Sequence, residues 1–405
     1  MAFPLIADLF PGGSLAPATS KSKFQDWLSA TLLLLGDGAS TKNARAALGV
    51  GAINFRNRLV NGGFGIDQAN AGAAVSISTT TRTYGPDQWY AAGTAAAGVF
   101  TLTRQADAVR PGKFRLKVSV TTADASIAAG DRYYFGQAIE GNDVADWNLG
   151  TSIAEAVTVS FEIESEVTGT YGIRVTNAAL NRSYVGTFAV SAANTRETKH
   201  VTLTLDNTGT WAIGTNVGMH VDICLAAGAT YQTTAGAWAA GNFHTTSGQT
   251  NFMATIGNDM YFADMQIETG SIAARVVENV PYALELARCQ RFYAKSYNQG
   301  VVPGAVSRLG ELSFASTTTV LSAGTTNNFC VRFPAAMRTA PTVSLYDSIN
   351  GGSAGNIAVG GVSSAASATA SQLGECGFGA ITNNSGGSWT ATFSGNLHYV
   401  ANARL

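Results

Sequence analysis

Alternation at every second residue constrains this chain more than any other feature. In "KFRLKVSVTT", Phe114, Leu116, Val118 and Val120 fall on one side of an extended backbone, and Lys113, Arg115, Lys117 and Ser119 fall on the other. "VTVSFEIESEV" repeats the device with Val157, Val159, Phe161 and Ile163 inward, and "HVTLTLDNTGTW", "GMHVDICL" and "YFADMQIE" follow between Gly-, Asn- and Thr-rich turns. Short alternating strands punctuated at about 8–12 residues predict an antiparallel sandwich or jelly roll, not α/β units.

Two stretches break the period. Residues 1–56 form a leader in which Phe24, Trp27, Leu28 and Thr31 follow helical spacing, and "STKNARAALGVG" adds a second short helical run. So short a segment cannot bury Trp27 and four consecutive leucines alone. It is expected to pack on identical chains or a larger assembly, or else on its own downstream domain. In "VPYALELARCQRFYAK", Pro281 suits a helix's first turn, and Tyr282, Leu286, Cys289 and Tyr293 recur at helical steps. A helix this short needs a surface. It is expected to be a connector pinned between two β domains or a three-fold contact between chains.

The predicted organisation is therefore a leader (1–56), a jelly-roll sandwich (57–280), a connector helix (281–297) and a smaller β domain (298–405). In the last, Phe329, Val331 and Phe333 share a face, and "INGGSAGNIAVGGVSSAASATASQLGECG" reads as loops or weakly packed edge strands.

Composition bears on what the chain can bind. A formal charge of −1 across 405 residues, with 13% charged side chains and no basic run, gives no field to collect nucleic acid or an anionic membrane. "LSATLLLLG" is too short to span a bilayer, and "MAFPLIADLF" has no basic n-region, so cytoplasmic synthesis without membrane insertion is expected. Cys224, Cys289, Cys330 and Cys376 lie far apart without a CxxC pair and read as buried free thiols.

"NRLVNGGFGIDQAN", "YGPDQWY" and "ADMQIETGSIAARVVENVPYALELARCQRFY" resemble the framing motifs of phage tail-fibre and virion-associated proteins that carry a carbohydrate-binding-module-like jelly roll. "STKNARAALGVG" is similar to segments of tail-fibre shafts, and "VRFPAAMRTAPTVSLYD" through "HYVANARL" to the small β domain that often follows. The resemblance implies a homotrimeric virion fibre or tip, joined to other tail or baseplate proteins by its N-terminus and touching host surface glycan. It also implies a structural calcium ion near the sandwich edge, for which Asp67 and Asp264 are the candidate ligands.

The residues themselves favour binding over catalysis. Glu162, Glu164 and Glu166 form an outward row, Asp143 and Asp146 suit a turn, "GGSAG" around Ser353 has no helix after it, and the four histidines show no metal spacing. Sugar C–H faces stack on aromatic rings while hydroxyls want amides and backbone groups. Two segments offer that mixture, "GDRYYFGQAIEGNDVADWNLG" with Tyr133, Tyr134 and Trp147, and "YQTTAGAWAAGNFHTTSGQTN" with Tyr231, Trp238, Phe243 and His244. These rings either meet glycan or plug the ends of the sandwich, as Trp89 is expected to do. Tyr346, Trp389, His398 and Tyr399 are a second candidate patch, and Trp211 is expected in the core. The reading is a glycan-binding virion adhesin, with a purely architectural virion component as the alternative and a polysaccharide-depolymerising spike ranked last.

Overall fold

The computed structural model describes residues 56–94, 98–270, 279–316, 321–360, 365–389 and 393–405. The leader candidates Phe24, Trp27 and Leu28 lie outside the described residues.

The first body is built from β1 (Val75–Ile77), β2 (Thr83–Tyr84), β3 (Tyr90–Gly93), β4 (Val99–Ala106), β5 (Phe114–Thr122), β6 (Arg132–Glu140), β7 (Ala156–Ser165), β8 (Gly169–Thr176), β9 (Arg182–Val190), β10 (Glu197–Thr204), β11 (Val217–Ala227), β12 (Trp238–Ala240) and β13 (Asp259–Thr269). They form a six-stranded sheet, β1-β4-β5-β13-β7-β10, and a seven-stranded sheet, β12-β9-β8-β11-β6-β3-β2, all antiparallel. This is the jelly-roll sandwich that the alternation predicts. Leu116, Val118 and Val120 of β5 and Val157, Val159, Phe161 and Ile163 of β7 are buried, and they meet Phe135, Tyr171, Ile173, Val221 and Ile223 of the other sheet in one core. Trp89 seals that core at 1% exposure and donates its indole N–H to the Asn61 carbonyl at 2.9 Å. Trp211, expected inside, is half-buried against the rim of the same core.

The second body holds β14 (Tyr293–Lys295), β15 (Leu312–Ser316), β16 (Thr326–Arg332), β17 (Thr342–Asp347), β18 (Asn356–Val359), β19 (Ala365–Gly374), β20 (Gly377–Asn383) and β21 (Phe393–Asn402), with its own core around Phe333, Leu345, Ile357, Phe378, Leu397 and Tyr399. The Gly/Ser/Ala-rich stretch, read from sequence as loops or edges, forms β19 in the interior of the sheet between β18 and β20. Pairing on both sides fixes a strand whose small side chains supply almost no hydrophobic pattern.

In the sandwich, α1 (Gly141–Val144) is one turn after β6, packed on β11, and α2 (Tyr282–Gln290) is the connector between the bodies. The helix is shorter than its periodicity suggests. It stops at Gln290, and Tyr293 opens β14, paired with Asn402 of β21. Cys289 is fully buried with Val60, Ile66 and Phe292, with Leu286 packed at the side, so α2 lies on the "NRLVNGGFGI" segment of its own chain. Arg288 donates to the Asn57 and Leu59 carbonyls, Arg291 forks onto Glu140 at 2.6 and 2.8 Å, and the Lys295 ammonium donates to the Gln68, Gln299 and Val301 carbonyls. From the far end, Arg338 donates to the Thr215 carbonyl at 2.8 Å, and Arg404 lies over the rings of Tyr84 and Tyr293. Cys289 and Tyr293 are thus filled within one chain, which removes them from the expected inter-chain seam. Only the first turn of α2, with Tyr282 58% and Leu284 42% exposed, still faces outward.

Candidate functional site

The long segment after β11 is held rigidly on the seven-stranded sheet. Its backbone bonds run from His244 N–H to Tyr231 O (2.8 Å), Thr233 N–H to Thr245 O (2.9 Å), Gly236 N–H to Val185 O (2.9 Å) and Gly241 N–H to Asn181 O (2.8 Å). The Ser183 hydroxyl donates to Gly241 O and accepts from Phe243 N–H. The segment lies so close on β8 that a Cβ added to Gly172 would stand 2.6 Å from the Thr245 hydroxyl and 2.7 Å from the His244 carbonyl. Glycine is required there by approach, not by its own dihedrals.

This fixed loop presents three half-buried rings, Tyr231, Trp238 and Phe243. Trp238 pairs with Tyr184 across β12 and β9, meets Trp211 edge-on at 5.4 Å, and donates its indole N–H to Thr204 O at 2.8 Å. Beside it, Arg182 grips Asp206 through two nitrogens at 2.6 and 2.8 Å. Burial pushes the Asp206 carboxyl up, but that grip outweighs it and leaves the group below its ordinary value.

Trp238, in register with core-facing Tyr184, thus sits at the sandwich edge between the sheets, whereas the outer face of the seven-stranded sheet carries a belt of rings and charges. Tyr231 meets His244 edge-on at 5.6 Å, and His244 meets Tyr134 at 4.5 Å. The Arg132 guanidinium lies 4.6 Å from the Tyr231 ring centre, and Arg174 5.3 Å from that of Tyr134. Arg174 donates to Asp222 at 2.7 Å, Asp222 accepts from the Tyr90 hydroxyl at 2.7 Å, and His220 joins Tyr90 to Arg82 at 3.1 and 3.0 Å. Burial first, and the neighbouring guanidinium charges second, hold both imidazoles well below the usual histidine range, so His220 and His244 are neutral at physiological pH.

The structure thus unites Tyr134, Tyr231 and His244 and places Trp238 and Phe243 on the same loop, with roles that differ. Tyr134 (4% exposed) and His244 (0%) form the floor of the belt, while Tyr231, Trp238 and Phe243 reach solvent. Tyr133 and Trp147 are core residues at 0% and 2%, so surface contact is closed to them. Tyr133 sits on the inward side of β6 because it precedes the outward Tyr134, and Trp147 is carried inward by the helical turn after that strand. Trp389, His398 and Tyr399 of the second body are likewise buried. Arg82, Arg132 and Trp211 were missed. Nothing in their sequence context distinguishes them, because strand register alone brings them beside the rings.

The remaining candidates have other employment. The Asp67 carboxylate accepts from Asn70 and Gly72 N–H, while the Asp264 carboxylate is bound by Arg110. The two are committed to different partners, and no group of three His, Cys, Asp or Glu suited to a metal occurs among the described residues. Glu162 and Glu164 do lie on the outer face of the six-stranded sheet, tied to Arg110, Arg196 and Arg115. Ser353 stands in a turn between β17 and β18, with no helix following. Of the cysteines, Cys224 and Cys289 are buried, and Cys330 and Cys376 are exposed, unlike the expectation for all four. A cavity of about 300 Å³ does occur elsewhere, between Asn61, Gly63, Asp264, Asn279 and Glu285. Its polar groups are already used: Glu285 binds Asn61 N–H and Arg288, and Lys113 donates to Asn279. We therefore place the candidate site on the loop and outer face of the seven-stranded sheet.

No protein-family model and no curated protein matches the chain. Among solved structures it is similar to the enzymatically active domain of bacteriophage CBA120 tailspike protein 4, at 10% identity and a TM-score of 0.28 over 53% of this chain and 21% of that one. It is also similar to the module TmCBM61 in complex with β-1,4-galactotriose (12%, 0.25, 52% and 97%). The family 11 carbohydrate-binding module of Clostridium thermocellum in complex with a β-1,3-1,4-mixed-linked tetrasaccharide is a third (10%, 0.25, 49% and 99%). The match spans about a fifth of the tailspike domain. At these identities and scores no function passes across, and the chain's own geometry has to carry one.

Proposed function

We propose that this chain is a non-catalytic glycan-binding β protein of the virion tail-fibre type. Its sandwich takes host-surface glycan on the loop between β11 and β13, and its N-terminal leader joins other tail or baseplate proteins of a homotrimeric particle component. One observation carries the binding reading: Tyr231, Trp238 and Phe243 stand half-exposed on a loop that backbone bonds already hold in place. Rings fixed in advance lose little freedom on meeting a sugar face, and amides and arginines beside them suit its hydroxyls. Three copies on one particle would turn weak single contacts into firm attachment through effective concentration.

A glycan array probed with the full chain, with Trp238→Ala and with Tyr231→Ala tests this. Binding that falls roughly tenfold or more in both variants supports the site. Unchanged binding in both removes the loop from the proposal, and loss of polymer viscosity on incubation would replace binding with depolymerisation. Light scattering tests the trimer, which a monomer at micromolar concentration would overturn.

A further inference from the structure

Most arginines that leave the sandwich sheets close on a carboxylate of the same chain. Arg110, Arg115, Arg174, Arg182 and Arg196 all do so at 3.1 Å or less. Three do not: Arg104 on the six-stranded sheet, which donates to the Gly65 carbonyl and lies over the Phe114 ring instead, and the pair Arg82 and Arg132. Both are half-buried at the outer face of the seven-stranded sheet, and neither has a carboxylate within 4.0 Å among the described residues. Arg132 lies on Tyr231, and Arg82 lies over Tyr90 at 4.7 Å while sharing one nitrogen with His220.

The nearby acids cannot neutralise them. Asp222 is spent on Arg174 and Tyr90, and Glu140, at the end of β6, is closed by Arg291. Arg132 and Arg174 therefore lie over Tyr134, at 5.8 and 5.3 Å, and Arg82 over the neighbouring Tyr90, with Asp222 already bound by Arg174, and the two histidines in the belt are uncharged. His244, wholly buried between Tyr134 and Tyr231, also has neither ring nitrogen hydrogen-bonded among the described residues. At 0% exposure His244 is out of a saccharide's reach, so the groups left open to a ligand are the two half-buried guanidiniums without a carboxylate of their own.

Resting on the glycan-binding reading above, we infer that the saccharide is acidic, with sugar carboxylates, as in uronic or sialic acids, bound by Arg132 and Arg82. A guanidinium stacked on a ring keeps its in-plane N–H fork free, and that fork matches a carboxylate in two-point contact. Tyr231 beneath Arg132 then offers its remaining edge to the same sugar. Arg132 and Gly136, the register partner of Tyr90, are four residues apart on β6, about 13 Å, so the two cations address different sugars along one strand of polymer.

The test titrates the full chain with oligogalacturonate and with the same oligomer fully methyl-esterified, alongside an array bearing neutral, uronate and sialylated glycans. The acid form, or the acidic array members, should bind roughly tenfold or more tightly than neutral counterparts, with affinity falling as salt rises. Arg132→Gln and Arg82→Gln should each weaken that binding roughly tenfold, Arg132→Lys less, and Arg104→Gln not at all, with circular dichroism confirming that each variant folds. Neutral glycans alone on the array, or acidic binding that survives both Gln variants, would overturn the acidic assignment while leaving glycan binding intact. An array blank for every class would overturn both.

Discussion

The two β bodies of this chain are made of the same kind of strand but are cemented differently. The sandwich fastens its outer faces with arginine–carboxylate contacts: Arg110 and Arg196 on Asp107, Arg115 on Glu164, Arg182 on Asp206 and Arg174 on Asp222. In the C-terminal body the ion pair among the described residues is Arg308 with Glu311, where Arg308 is 68% exposed. There the polar work falls to turn side chains bonded to backbone, with Asn383 donating to Leu321 and Gly387 carbonyls and Asp347 accepting from Ile349 and Asn350 N–H. A low overall charge thus conceals an uneven distribution, and the charged body is the one that carries the candidate site.

The strongest way to break this contrast is Asp222→Ala. Arg174 is 1% and Asp222 0% exposed, so removing one partner strands a buried cation and should cost about 3–5 kcal/mol by denaturant unfolding. Replacing both as Arg174→Met with Asp222→Leu should recover much of that loss, and a double-mutant cycle reads it.

Acid should separate the bodies next. Hydrogen bonding from Arg196 holds the Asp107 carboxyl well below the usual range against the pull of burial, and Lys199 with two backbone N–H groups brings Glu197 down to about 2. For a carboxyl depressed by folding, the stabilisation is full above its unfolded value and fades as pH falls through the folded one. Sandwich stability should therefore begin to decline below about pH 6.5, where His220 and His244 are charged in the unfolded chain but held neutral by burial in the folded one, and decline further from about pH 4.5 toward pH 2, the Glu197 window, while the C-terminal body, where burial lowers His398 less, is less affected. Hydrogen exchange resolved by region across that range measures it, and equal loss in both bodies would erase the distinction.

Gly172→Ala comes third. The new methyl must push Thr245 and His244 off β8, so the loop should loosen, with glycan affinity falling several-fold while the global transition moves by only about 1 kcal/mol. Smallest is Arg308→Ala, which removes an exposed pair and should shift stability by less than about 0.5 kcal/mol in thermal unfolding.

What the sequence disclosed follows from how local each cause is. Val157, Val159, Phe161 and Ile163 announce their burial because alternation is written in neighbouring residues, and the turn role of Asp143 and Asp146 is equally local, falling in the helical turns 141–147. Tyr293 misled because a step of four from Cys289 satisfies a helix until a distant strand, β21, claims it. The strand β19 was obscured because Ala and Ser are too small to mark a face. Arg132 and Arg82 could not be found at all, since their distinction is the lack of a carboxylate partner among the described residues, and only register across β3, β6 and β11 decides who stands beside whom. Tyr231, Trp238 and Phe243 do share one loop and stay half-exposed, yet the parity of one residue separates buried Tyr133 from belt-forming Tyr134.

The junction of Arg291 with Glu140, Lys295 with three carbonyls and Arg338 with Thr215 leaves little room for a hinge. A tug on the C-terminal body would be felt by the sandwich at once, without slack to absorb it. The angle at which the rings of the sandwich meet anything outside the chain would then be set by the C-terminal body as well as by what they touch.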